Sequence, residues 1–149
     1  MNAEGIVRTR LLAIPALTAL VEDRIYALIL PQNCPMPAVR VQGIDRDDPV
    51  HLRGPVGWVS ARVQVDHYAY RTTNGDGLWT AQQCAAAAHG DFSAGTASGL
   101  AGWSGWIGSP PVRVDLVKLL DEREEYQAAE LDELRIMQDY LVHWRETGA

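Results

Sequence analysis

The sequence is poor in cysteine, with only Cys34 and Cys84 among its 149 residues. Neither lies in a CxxC or Cys/His spacing of the kind that binds zinc. The four histidines are scattered through different predicted elements, and none has a partner four residues away that could share a metal. We therefore expect free thiols, with a disulfide between them as the alternative, and no metal site.

The sequence also lacks an excess of basic residues and any long apolar run. Its 13 Lys and Arg stand against 19 Asp and Glu, a net charge of −6, whereas nucleic-acid surfaces depend on clustered cations. The most apolar run, residues 25–31, is far shorter than the roughly 20 residues that cross a bilayer. Glu4 stands where a secretory signal would be basic. These features predict a protein of cytoplasmic origin that neither spans a membrane nor binds DNA tightly.

Motifs for catalysis are missing as well. The glycines of 95–108 are spaced irregularly and do not lie between a strand and a helix, as a phosphate-binding loop requires. The serines lack a nucleophile-elbow context. Asp66 and His67 are adjacent on a predicted strand and therefore point to opposite faces, so they form no dyad. We predict a protein that is not an enzyme and has no catalytic residues and no cofactor.

The length suits one domain, residues 1–149, with a core of its own. Helical periodicity over 4–21 is interrupted at Pro15, which predicts a helix ending near Ala13 and then a short turn. The other predicted elements are a short strand or extended connection at 24–30, strands at 38–44 and 56–70, an alanine-rich helix at 80–90, and a hairpin of 112–120 with 133–145 closed by an acidic loop at 121–132. We predict an α+β fold: a mostly antiparallel sheet of about four strands, two helices packed on one face, and long loops.

The stretch RVQVDHYAY (62–70) alternates between small or apolar residues and larger polar ones. If the first set packs beneath the helices, the second set forms the other face of the sheet. A monomer would leave that face solvated, whereas a ring or stack would use it as an interface. The predicted interface positions on it are Arg62, Gln64, Asp66 and Tyr68.

Two loops have features of contact surfaces. Trp103 and Trp106 lie among glycines and serines, where they either fold back as a lid on the core or act as contact anchors, because tryptophan is enriched at binding hot spots. The acidic segment, with Glu122, Glu124 and Glu125, is either a solvated hairpin tip or a surface that pairs with a basic rim on a neighbour.

Four segments in this order resemble one family: 15–42 (PALTALVEDRIYALILPQNCPMPAVRVQ), 62–72 (RVQVDHYAYRT), 81–88 (AQQCAAAA) and 135–144 (RIMQDYLVHW). Together they make the chain similar to the tail-completion, or tail-terminator, proteins of long-tailed bacteriophages, prophages and gene transfer agents. The chain departs from that pattern at NGDG (74–77) and in the long glycine-rich loop of residues 94–109, which contains Trp103 and Trp106.

The resemblance implies a subunit of a ring, typically a hexamer, located in the virion neck and assembled in the bacterial host cytoplasm. Such a ring ends the tail tube and joins it to the head–tail connector or stopper protein, and DNA passes through its channel without sequence-specific binding. Two alternatives remain open: another neck protein such as a head-completion stopper, and a monomeric small-ligand module with the tryptophans lining a pocket.

Overall fold

A computed structural model describes residues 2–52, 54–55, 57–70, 76–127 and 133–146 of the chain. The three helices of this part are α1 (Ala3–Leu12), α2 (Pro15–Val21) and α3 (Asp76–His89). The ten strands are β1 (Ile25–Ala27), β2 (Ala38–Asp47), β3 (Val50–His51), β4 (Gly54–Pro55), β5 (Trp58–Tyr70), β6 (Phe92–Ser93), β7 (Thr96–Ala97), β8 (Gly105–Ile107), β9 (Val112–Gln127) and β10 (Glu133–Arg145).

Six of the strands form one curled sheet in the order β1-β2-β5-β10-β9-β8. β1 runs parallel to β2, and every other neighbouring pair in this sheet is antiparallel. The β9–β10 hairpin that the sequence predicts is confirmed, and β10 pairs with β5 along its whole length. The long strands β5, β10 and β9 are therefore neighbours in the middle of the sheet.

The core lies between the three helices and one face of the sheet. The alternation of β5 places Val63 and Val65 on this face, where both are fully buried. They pack in one cluster with buried side chains of α1 and α2, while the alanines of α3 allow that helix to approach the sheet closely. Burial of this apolar surface, worth about 25 cal/mol per Å², holds the helices on the sheet.

The predicted four-stranded, two-helix arrangement is wrong: the sheet has six strands and is mixed, and three helices accompany it. Pro15 does not open a turn but occupies the first position of α2, where its missing N–H costs no hydrogen bond. The two additional strands are three-residue strands at the sheet edges: β1 matches the short-strand alternative for 24–30, and β8 lies where no strand is predicted.

The acidic segment is not a loop where the structure describes it. β9 continues to Gln127, so Glu122, Glu124 and Glu125 lie on a strand that is paired with β10. The remainder of the predicted loop, 128–132, lies outside the described residues, as do residues 74–75 of the NGDG segment. α3 begins at Asp76, four residues before the predicted start.

Candidate functional site

The face of the sheet opposite the helices, here called the open face, carries the predicted interface positions of β5. Arg62 and Gln64 are half-buried there, whereas Asp66 and Tyr68 are buried. Residues directly opposite on neighbouring antiparallel strands share a face, and β10 adds Arg135 opposite Tyr68. The structure thus brings the four β5 positions together in one row along the strand.

Asp66 is held within the subunit by an arginine of β2. Its Oδ2 accepts from Arg40 Nη2 at 2.6 Å and Nε at 3.0 Å, and its Oδ1 accepts from Gln64 Nε2 at 2.7 Å. The Asp66 side chain is completely buried. Buried carboxylates require such partners: Arg40 compensates the charge, and Gln64 supplies the remaining hydrogen bond. Asp66 therefore fixes the positions of Arg40 and Gln64 on the open face.

A second buried carboxylate, Asp139 of β10, lies further along the open face. Its Oδ2 lies 3.2 Å from Arg123 Nη1 and 3.5 Å from Arg62 Nη2. Both arginines are more than 40% exposed, so their outer surfaces are available to a partner. On the open face, several arginines thus form ion pairs with two buried aspartates, Asp66 and Asp139.

Tyr68 lies between two arginines of neighbouring strands. The guanidinium carbons of Arg40 and Arg135 are 5.8 and 5.9 Å from its ring centroid, within cation–π range. Burial raises the pKa of the Tyr68 hydroxyl. Arg135 also pairs with Glu125 at 2.6 Å, which connects the buried tyrosine to the acidic end of β9.

On the helix side, a buried hydrogen-bond network is centred on Gln138. Its Oε1 lies 2.9 Å from His67 Nε2 and accepts from the Tyr140 hydroxyl at 2.9 Å; its Nε2 donates to Glu122 Oε1 at 2.8 Å and to the Ala85 carbonyl at 3.1 Å. Burial lowers the pKa of His67 to about 4. His67 is thus a neutral structural side chain on the face opposite Asp66, in agreement with the prediction that the two form no dyad.

The two predicted loop tryptophans have different environments. Trp103 is half-buried against the core, and its ring lies 4.8 Å from the guanidinium carbon of Arg10 of α1. Arg10 also donates to the carbonyls of Ala97 and Gly99 at 3.1 Å. Trp106 lies on the edge strand β8 and is 64% exposed. Trp103 therefore matches the lid alternative, whereas the ring of Trp106 is exposed to solvent.

This difference predicts separate effects on stability. We expect Trp103→Ala to lower the free energy of unfolding by about 2 kcal/mol, because it removes a ring packed on the core and under Arg10. Trp106→Ala should change it by less than about 0.5 kcal/mol. Denaturant unfolding followed by circular dichroism measures both. Equal losses in the two variants would contradict the assignment.

The acidic end of β9 borders a groove beside α3, here called the acidic groove. Glu122 and Glu124 line it together with Asp91, which follows α3, and its volume is about 390 Å³. None of the three carboxylates takes part in the ion pairs formed by the described residues. Glu125 lies on the other face of β9, with Arg135. Of the three predicted glutamates, Glu122 and Glu124 therefore line the acidic groove, whereas Glu125 lies on the open face.

A further surface was not predicted from the sequence. Strand pairing aligns one residue from each of four strands at the other end of the open face: Trp58, Arg145, Arg113 and Trp106. We call these four the Trp–Arg row. Arg145 lies over the Trp58 ring at 5.8 Å. Since the four residues belong to four different strands, only the strand register could have revealed the row.

The described residues contain no group of three or more His, Cys, Asp and Glu side chains placed to hold a metal ion. Cys34 and Cys84 are both free thiols in the interior, and burial raises the pKa of Cys84 to about 11. Among the described helices, none is long and apolar enough to cross a membrane. The described polar side chains form ion pairs beside exposed aromatic rings, an arrangement that suits contact with another protein.

Comparison with known proteins gives one informative result. No protein-family model matches the chain, and no curated protein matches it. Among solved structures, it is similar to a chain in the virion of a native gene transfer agent (GTA) particle, with a TM-score of 0.66 and 18% sequence identity. The match covers 98% of this chain and 100% of that one. This protein therefore has, over nearly its whole length, the fold of a chain of the gene transfer agent virion.

Proposed function

We propose that this protein is a structural component of a virion of the phage or gene-transfer-agent type, and within it the tail terminator. In this role it forms a ring, a hexamer, that ends the tail tube and joins it to the head–tail connector or stopper protein. The observation that carries the proposal is the fold shared over 98% of the chain with a gene transfer agent virion chain. The resemblance of four sequence segments to tail terminators supports the finer assignment.

The surface is consistent with assembly. Several large apolar side chains are exposed, among them Ile29, Trp58, Trp79 and Trp106, and exposed apolar area favours association. On the open face, Arg62 and Gln64 would contact a neighbour directly, while Asp66 and Tyr68 hold the arginines around them. The net charge of −6 suits a channel through which DNA passes without being retained.

The test is the mass of the protein in solution, measured by light scattering over a range of concentrations and again with purified tail tubes. We expect a mass of six subunits, either free or at the tube end. A monomer under both conditions would contradict the ring. A change in tryptophan fluorescence on addition of a small ligand, without a change in mass, would favour the ligand-binding alternative.

Particles made without the protein distinguish the two neck roles. If it is the terminator, its loss removes the stop to tube polymerisation, so we expect tubes of uncontrolled length in electron micrographs. If it is a stopper, tubes should have their normal length but remain unattached to heads. Normal, joined particles would contradict both roles.

A further inference from the structure

The Trp–Arg row has the composition of a binding hot spot. Trp and Arg are the residues most enriched among interface positions that carry binding energy. Trp58 and Trp106 are 61% and 64% exposed, and the side chain of Arg145 is 56% exposed. Leu116, on the next row of β9, is also exposed. The row is therefore an accessible aromatic surface at one end of the open face.

The row has an uncompensated positive charge. Arg145 Nε lies 2.9 Å from Asp115 Oδ2, and Arg113 Nε lies 3.8 Å from Asp115 Oδ1. No other ion pair of the described residues includes either arginine. Two guanidinium groups thus share one carboxylate. A partner that supplies carboxylates beside apolar surface would complete the row.

The acidic groove has the complementary chemistry. Its carboxylates, from Asp91, Glu122 and Glu124, lack cationic partners among the described residues, and Leu119 and Ile136 contribute apolar surface to its lining. Carboxylates beside apolar lining match guanidinium groups beside indole rings in both charge and polarity. The missing partner of each surface is therefore present on the same chain.

The two surfaces cannot meet within one subunit. Arg113 and Glu122 lie nine residues apart on β9, a separation of roughly 30 Å along the strand. They also face opposite sides of the sheet, because Arg113 pairs opposite Arg145 on the open face and Glu122 pairs opposite Gln138 on the helix face. Contact between them requires a second copy of the chain.

We propose that the Trp–Arg row of one copy binds the acidic groove of the next copy, and this inference rests on the proposed ring. Because the two patches differ, the contact is heterologous and directional, and contacts of this kind close into rings when the rotation between subunits allows it. The open face of each subunit then covers the helix side of its neighbour. This contact gives the ring its direction.

The experiment reverses the charge of each surface separately. One variant carries Arg113→Glu and Arg145→Glu, and the other carries Asp91→Lys and Glu124→Lys; Glu122 is left unchanged because it accepts a hydrogen bond from the buried Gln138. In each variant both surfaces have the same sign. We expect the concentration needed for self-association to rise by at least about tenfold in each.

Two combinations test whether the surfaces bind each other. In an equimolar mixture of the variants, every contact between unlike chains joins opposite charges, so we expect the wild-type mass to return as an alternating ring with an even number of subunits. A single chain that carries all four substitutions should also self-associate. Light scattering measures the mass in each case, and thermal unfolding checks that each variant is folded.

A matched control changes the net charge by the same four units elsewhere. Glu22→Lys with Asp23→Lys alters exposed residues outside both surfaces and should keep the wild-type mass. If the wild type assembles and both reversed variants assemble equally well, the pairing is wrong and the ring stands. Failure of both combinations to recover also overturns the pairing. A wild type that is monomeric alone and with tail tubes overturns the ring and the pairing together.

Discussion

Arg40→Ala is expected to lower the free energy of unfolding by about 3 kcal/mol, because it leaves a buried carboxylate without its cation. The side chain of Asp66 is completely inaccessible, and Arg40 supplies two of its three hydrogen bonds, at 2.6 and 3.0 Å. Gln64 alone, at 2.7 Å, cannot compensate the charge. Denaturant unfolding at neutral pH measures the loss.

A rescue variant separates the buried charge from other effects of truncation. Asp66→Asn in the Arg40→Ala background removes the charge and should restore part of the lost stability. Arg46→Ala is the control: this arginine pairs with the exposed Asp48 and Glu146 and lies 5.5 Å from the Trp144 ring, so its loss leaves no buried charge unpaired and should cost about 1 kcal/mol. An Arg40→Ala loss no larger than the Arg46→Ala loss would show that Asp66 is solvated.

The elements that the sequence predicts well are those whose periodicity is long. The alternation within β5, the alanine run of α3 and the apolar strands of the β9–β10 hairpin each cover several residues with one pattern. Such patterns reflect burial on one face, which is a local property of the sequence. The three-residue strands β1 and β8 contain too few residues for alternation, so only their partners β2 and β9 define them.

The acidic segment shows a different reason for failure. The seven acids within 121–133 are typical of a solvated loop, because Asp and Glu are depleted in strands. In the structure residues 121–127 pair with β10, where Arg135 lies opposite Glu125. Arg123 further along β9 contacts Asp121 and Asp139. The ion pairs across the hairpin, from Arg123 to Asp139 and from Arg135 to Glu125, thus allow a charged sequence to continue the strand.

The candidate site was accessible to sequence reasoning only in part. Alternation placed Asp66 and His67 on opposite faces, but it could not show that Asp66 is buried, because its partner Arg40 is 26 residues away. In the same way, the histidine could be placed on a strand, yet its full burial depends on Gln138, 71 residues away. Contacts between residues that strand register brings together cannot be predicted from a pattern within one short segment.

The stability of the protein is expected to fall in mild acid because His67 is buried as a neutral ring. Burial lowers its pKa to about 4 in the folded protein, whereas an unfolded histidine titrates near 6.5. The unfolded chain therefore binds this proton first as the pH falls. The stabilisation is complete above pH 6.5 and decreases through the window down to pH 4, by about 2 kcal/mol at pH 5 and about 3 kcal/mol at pH 4.

His67→Phe is the matched control for this pH dependence. Phenylalanine retains a ring and does not titrate, and the Gln138 oxygen keeps its hydrogen bond from the Tyr140 hydroxyl. The buried His67 Nδ1, which has no hydrogen-bond partner among the described residues, is also removed. Free energies of unfolding between pH 7 and pH 5 should therefore decline more steeply in the wild type, by about 2 kcal/mol. Parallel curves for the two proteins would show that His67 takes up its proton at the same pH in the folded and unfolded states, and its burial as a neutral ring beside Gln138 would then be wrong.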